Sequence, residues 1–129
     1  MEKINIGIIG FGTIGSGVVK LLNKNFSIIK ERVGMEPQIK RIADIDIKRD
    51  RGIKIDRKIL TKNAREIIDD PEIQIVVELI GGIHPAKEYI IDSLKNGKAV
   101  VTANKALLAE EGRGIFRTAF ENNQDIYFE

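Results

Sequence analysis

The sequence predicts a single α/β domain built as an open, doubly wound parallel sheet, and three observations carry that expectation. Short runs rich in isoleucine and valine, at residues 4–9, 73–80 and 98–102, are each halted by glycine or a polar loop, the pattern of strands buried on both faces. Between such runs lie stretches whose apolar residues stand three and four apart, the period of a helix with one buried side. Strand and helix alternate along the chain, which calls for right-handed crossovers and a parallel sheet. The 129 residues suffice for one core and leave no room for a second catalytic domain.

The first strand takes residues 4–9 and stops at Gly10. Ile14, Val18, Leu22, Phe26 and Ile29 then recur at helical spacing, so one helix is expected as far as Gly34, with Pro37 just beyond. Residues 38–45 alternate around Ile39, Ile42 and Ala43 as a strand, and the charged stretch Lys48-Arg49-Asp50-Arg51-Gly52 reads as a loop. Residues 52–60 leave room for one short strand. Asn63 and Glu66 have capping-box spacing and open a short helix through Ile67 and Ile68 that ends before Pro71. The apolar run 73–80 is a strand halted by Gly81 and Gly82. Pro85 suits the first turn of the next helix, which carries Ala86, Ile90 and Leu94 inward and stops at Asn96-Gly97. A strand at 98–102 follows, then short helical stretches around Leu107-Leu108 and at 115–120, and a closing strand at Ile126-Tyr127-Phe128.

Composition narrows the function classes. With 43% hydrophobic and 31% charged residues the chain has material for a core and is not a disordered one. No apolar run approaches the roughly 18 residues that span a bilayer, and the start, Met1-Glu2-Lys3, has no signal-peptide layout, so a cytoplasmic, membrane-free protein is expected. The absence of cysteine removes disulfides and thiolate ligands, and one histidine does not make a zinc site. A net charge of +2, with bases interspersed among acids, does not suit nucleic acid.

Chemistry enters at Gly10-Phe11-Gly12-Thr13-Ile14-Gly15, a G-x-G-x-x-G sequence between a strand and a helix. There Gly10 permits the tight turn, Gly12 lets the backbone approach a pyrophosphate, Gly15 allows helix and sheet to pack closely, and the helix amides face the phosphates. This is the dinucleotide fingerprint of a Rossmann-type domain, and residues 10–15 are its candidate cofactor contacts. In such a sheet ligands lie beyond the carboxyl ends of the strands where strand order reverses, beside the first and fourth strands. Two further loops fall there, Gly81-Gly82 and Thr102-Ala103-Asn104-Lys105. Gly81 and Gly82 would let the backbone lie near the nicotinamide ribose; a plain strand-to-helix turn is the equal alternative. His84 beside them reads as a surface residue. Asp44, or Asp46, stands where an acid holds the adenosine ribose and would favour NAD, whereas Lys48, Arg49 and Arg51 would accept a 2′-phosphate and favour NADP. NAD and NADP both remain open.

Three segments together resemble the cofactor domain of the homoserine dehydrogenase family. They are the glycine fingerprint, Val76-Val77-Glu78-Leu79-Ile80-Gly81-Gly82 followed by Pro85-Ala86, and Val101-Thr102-Ala103-Asn104-Lys105-Ala106-Leu107-Leu108-Ala109. The resemblance spans almost the whole chain, and its Glu-x-x-Gly-Gly and Ala-Asn-Lys segments are much more particular to this family than the fingerprint. It implies interconversion of L-homoserine and L-aspartate 4-semialdehyde with NAD(P), on the route to threonine, methionine and isoleucine, by an enzyme expected to be a homo-oligomer. It also implies that Lys105 is the catalytic lysine of the Asn-Lys motif, beside cofactor and substrate, with Asn104 at the cofactor. The family's substrate and catalytic domain would follow Glu129, so residues 1–129 are expected to be an excised NAD(P)-binding domain without hydride transfer of its own. The competing readings are the cofactor domain of aspartate dehydrogenase or dihydrodipicolinate reductase, against which the Ala-Asn-Lys segment argues, and a free-standing dinucleotide sensor, which would have no need of Lys105.

Overall fold

The computed structural model describes residues 2–128. Met1 and Glu129, the ends of the expected domain, lie outside the described residues. Six parallel strands stand in the order β3-β2-β1-β4-β5-β6. From β1 (Lys3–Ile9) the chain passes through α1 (Thr13–Lys24) and α2 (Phe26–Val33) to β2 (Glu36–Ala43), a 3-10 turn (Arg57–Ile59) and β3 (Leu60–Thr61) at the edge. It returns through α3 (Arg65–Ile68) to β4 (Ile75–Glu78) beside β1, then runs outward through α4 (Ala86–Lys95), β5 (Ala99–Thr102), α5 (Lys105–Glu121) and β6 (Ile126–Phe128). Strand order therefore reverses between β1 and β4, the switch point expected from the sequence.

Alternate residues of the strands feed two cores. Ile9, Ala43, Val76 and Val100 pack under α3, α4 and α5 through Ile67, Ile68, Ile90, Leu94, Leu107 and Ile115. Their neighbours Ile6, Ile8, Ile42 and Val77 face the other way, onto α1 at Val19. Each fully buried aliphatic side chain contributes on the order of 1.5–3 kcal/mol, so burial on both faces fixes which way every strand residue points. Ala86, Ile90 and Leu94 are buried as expected. In the middle of β1, Gly7 is required by α3: a Cβ there would stand 2.3 Å from Cγ2 of Ile67.

Four elements depart from expectation. The single helix ending at Gly34 is two helices broken at Asn25, whose side-chain amide folds back to donate at 3.0 Å to the Leu21 carbonyl that its own helical N–H already uses. Its apolar stripe marks the buried side only in part: Val18 and Leu22 pack at the edge of the core, but Ile14 is 61% exposed, whereas Gly15 and Val19 are buried. The two short stretches near 107 and 115–120 are one helix, α5; Gly112 is buried within it, and Lys87 of α4 pairs with Glu111 at 3.2 Å, so packing against α4 outweighs the weak propensity of Gly112 and Gly114. The strand sought in 52–60 shrinks to two residues after the 3-10 turn. At the start of α3, Asn63 Oδ1 accepts the Arg65 N–H at 2.9 Å, but Glu66 turns to the Thr61 hydroxyl rather than closing a capping box. No helix among the described residues is long and apolar enough to cross a membrane.

Candidate dinucleotide site

The turn after β1 is built tightly. Gly10 has φ +109 and donates its N–H to the Ala43 carbonyl at 2.8 Å, so the turn is tied to the end of β2. Gly15 lies against it: an added Cβ would fall 2.2 Å from the Gly10 carbonyl oxygen. At Gly12, by contrast, an added Cβ would meet nothing within 4 Å. Gly12 is also the N-cap of α1; no side chain caps that helix and no acid occupies its first turn, so its first amides and the positive end of its dipole are left for an anion. Thr13 and Ile14 are exposed beside it, while Phe11 is 2% exposed and sits in the core with Val19 and Ile8. The Phe11 ring anchors the turn and does not face the cleft.

Asp44 follows β2 directly and holds this turn from the side. Its Oδ1 accepts the Phe11 N–H at 2.9 Å, and its Oδ2 accepts the Asp46 N–H at 3.0 Å and pairs with Arg51 at 3.1 Å. The Arg51 side chain is 4% exposed: it lies over the Phe11 ring, 4.4 Å from its centre, and donates to the carbonyls of Phe11, Asp46 and Arg49. Arg51 is thus an internal strut between the 44–51 loop and the fingerprint, which corrects its reading as a phosphate-embracing or solvated residue. Asp46 accepts the N–H groups of Lys48 and Arg49, and those bonds hold its carboxyl below the usual range. Lys48 and Arg49 stay exposed.

The turns after β4 and β5 lie side by side on one side of the switch point and are bonded to each other. Gly81 and Gly82 have φ +74 and +73, a double left-handed turn that residues with a Cβ adopt poorly. Glu78, the last residue of β4, is fully buried; its Oε2 accepts the N–H groups of Ile80 at 2.9 Å and Gly81 at 3.3 Å, and its Oε1 accepts the Thr102 hydroxyl at 2.6 Å. These bonds end the strand two residues before the apolar run does. Asn104 donates from Nδ2 to the Gly82 carbonyl at 2.6 Å and caps α5 by accepting the Leu107 N–H at 3.1 Å, so its side chain builds the two turns. Lys105 is the first residue of α5 and is exposed. His84 is exposed and hydrogen-bonds Glu88 one turn into α4, which holds the Glu88 carboxyl below its usual range.

A cleft of about 490 Å3 opens at the switch point, lined among others by Gly10, Gly12, Asp44, Lys62, Gly81 and His84. The donor set fits a dinucleotide. Free amides and an unobstructed glycine lie on the β1 side, a carboxylate at the end of β2, and glycine backbone on the β4 side. Lys62 and Tyr89 line this cleft without having been singled out, as exposed lysines and half-buried tyrosines carry no distinguishing pattern. Glu78 did carry a signal. A lone acid inside the run Val76-Val77-Glu78-Leu79-Ile80 must be buried and partnered, and a charge of that kind marks a built site. Among the described residues no group of three or more histidines and carboxylates is arranged to hold a metal.

Comparison with known proteins agrees with this geometry. Residues 10–129 match the family model for the NAD-binding domain of homoserine dehydrogenase. Over all 129 residues the chain is 40% identical to the homoserine dehydrogenase of Bacillus subtilis and spans 30% of that protein's length. Two crystal structures superpose over the whole chain with a TM-score of 0.92: homoserine dehydrogenase from S. aureus, at 39% identity and 33% of its length, and from Thiobacillus denitrificans, at 40% identity and 30% of its length.

Proposed function

Since this chain belongs to the homoserine dehydrogenase family as its NAD-binding domain, we propose that it lays NAD or NADP across the carboxyl rim of the sheet, adenine toward β2 and nicotinamide toward β5, for interconversion of L-homoserine and L-aspartate 4-semialdehyde. The observation that carries this reading is the convergence of the turns after β1 and β4 at the one reversal of strand order, the turn after β5 bonded to the latter, with an uncapped helix end and open Gly12 where the diphosphate belongs. A bound nicotinamide supplies the hydride donor or acceptor. The chain's own residues bind and orient. The amides opening α1 meet the diphosphate, and Gly81 and Gly82 admit the nicotinamide ribose. Lys105 holds the substrate oxygen by a charge-assisted hydrogen bond that strengthens as negative charge gathers there.

The chain spans about a third of the relatives it matches, so the complete enzyme, taken here as a cytoplasmic homo-oligomer serving threonine, methionine and isoleucine synthesis, is the unit in which turnover is measured. Calorimetric titration with NAD and NADP is expected to detect binding of at least one; indifference to both at millimolar concentration overturns the proposal. In the complete enzyme Lys105→Ala is expected to lower kcat by about 100-fold or more. Unchanged turnover removes Lys105 from the chemistry.

A further inference from the structure

We propose that Glu78 is the positioning residue for the nicotinamide half of the cleft, locking the glycine turn after β4 to the segment that presents Lys105; this rests on the dinucleotide reading above. Its carboxyl group is wholly buried and met by three neutral donors, the Ile80 and Gly81 amides and the Thr102 hydroxyl. An ionised carboxyl only accepts hydrogen bonds, so all three contacts suit that form. Burying such a group is expensive, and apolar side chains would fill the same volume at less cost. What the group supplies is geometry.

The bonds form a closed circuit. Thr102 donates to Glu78 and accepts the Asn104 N–H at 3.0 Å; Asn104 reaches back to the Gly82 carbonyl and forward to the first turn of α5. The circuit returns to Glu78 through Gly81. Two successive left-handed glycines would otherwise leave this turn a wide choice of conformations. With the Ile80 and Gly81 amides and the Gly82 carbonyl taken, the turn keeps one shape, and Lys105, one residue beyond Asn104, keeps a fixed offset from it. The diphosphate end of the cleft is held by other bonds, those of Gly10, Phe11, Asp44 and Arg51. Glu78 therefore acts on one half of the ligand only.

Glu78→Gln keeps the shape but turns one acceptor oxygen into an NH2 donor: in place of Oε2 it costs both backbone bonds, and in place of Oε1 it forces the Thr102 hydroxyl to reverse and accept. In the full-length protein this variant is expected to bind the dinucleotide about tenfold more weakly, while ADP, carrying the 2′-phosphate if the cofactor is NADP, binds within twofold of the wild type. Thr102→Val breaks the same circuit without touching the buried carboxyl and is expected to give the same split; it decides the matter if Glu78→Gln does not fold. Unchanged dinucleotide affinity, or equal weakening toward ADP and dinucleotide, overturns the inference. A wild-type protein that binds neither ligand fails the underlying dinucleotide reading instead.

Discussion

Gly12→Val folds and no longer binds the dinucleotide. Gly12 has φ −83 and ψ −152, extended backbone with no left-handed φ, and a Cβ there meets nothing within 4 Å. Valine is a poorer N-cap than glycine, which costs on the order of 1 kcal/mol and lowers the melting temperature by a few degrees. The space that tolerates its methyl groups is the space a diphosphate must enter to reach the amides of α1. Affinity is expected to fall about 100-fold or more, or about 2.8 kcal/mol. Calorimetry with NAD and NADP measures the loss, and far-UV circular dichroism checks the fold. Wild-type affinity in a folded Gly12→Val protein would place the phosphates elsewhere.

Gly15→Ala is expected to do the opposite, damaging the fold first. The new Cβ would stand 2.2 Å from the Gly10 carbonyl oxygen and 3.1 Å from its carbon, and both obstacles are backbone. No rotamer relieves the overlap. Either α1 moves off the sheet, opening the packing around Val19 and Ile8, or the turn at Gly10 shifts and breaks its bond to Ala43. Overpacking of this kind costs roughly 1–3 kcal/mol or more, read as a lowered urea midpoint with an unchanged slope. Binding falls with it, because the α1 amides no longer lie where the turn puts them. A Gly15→Ala protein as stable as the wild type would show that helix and turn are not in register as described. The two substitutions, three residues apart, separate the roles that the fingerprint assigns to its second and third glycines.

Legibility in the sequence followed how local the cause was. The turn after β1, the helix carrying Ala86, Ile90 and Leu94, and the strands around Val76 and Val100 are each set by their own periodicity and bounding glycines, and they stand where expected. The reversal of strand order followed from alternation of the elements alone. The break at Asn25 was hidden because Ile14, Val18, Leu22, Phe26 and Ile29 keep helical spacing straight through it; what ends α1 is a side chain folding back on Leu21. Continuity of α5 across Gly112 and Gly114 depends on α4, which no window of sequence contains. At the strand ends, the turns that hold Gly10, Gly12, Gly15, Gly81, Gly82, Asp44, Asn104 and Lys105 were legible as turns, but the bonds of Asp44 and Asn104 were not. Both side chains serve neighbours 22 to 33 residues away. Arg51 looked like one of several loop cations and proved internal, because only its place over the Phe11 ring distinguishes it from Arg49.

Phe11 ties occupancy of the cleft to the integrity of the whole domain. Its peptide belongs to the ligand's turn and its ring to the interior, so a molecule that immobilises the turn also resists extraction of that ring from its apolar setting. Any ligand that prefers the folded chain raises its free energy of unfolding by RT ln(1 + [L]/Kd), about 2.7 kcal/mol at one hundred times Kd. Heat resistance in this domain is therefore a function of how much coenzyme surrounds it, and a starved sample and a saturated one will melt as if they were two different proteins.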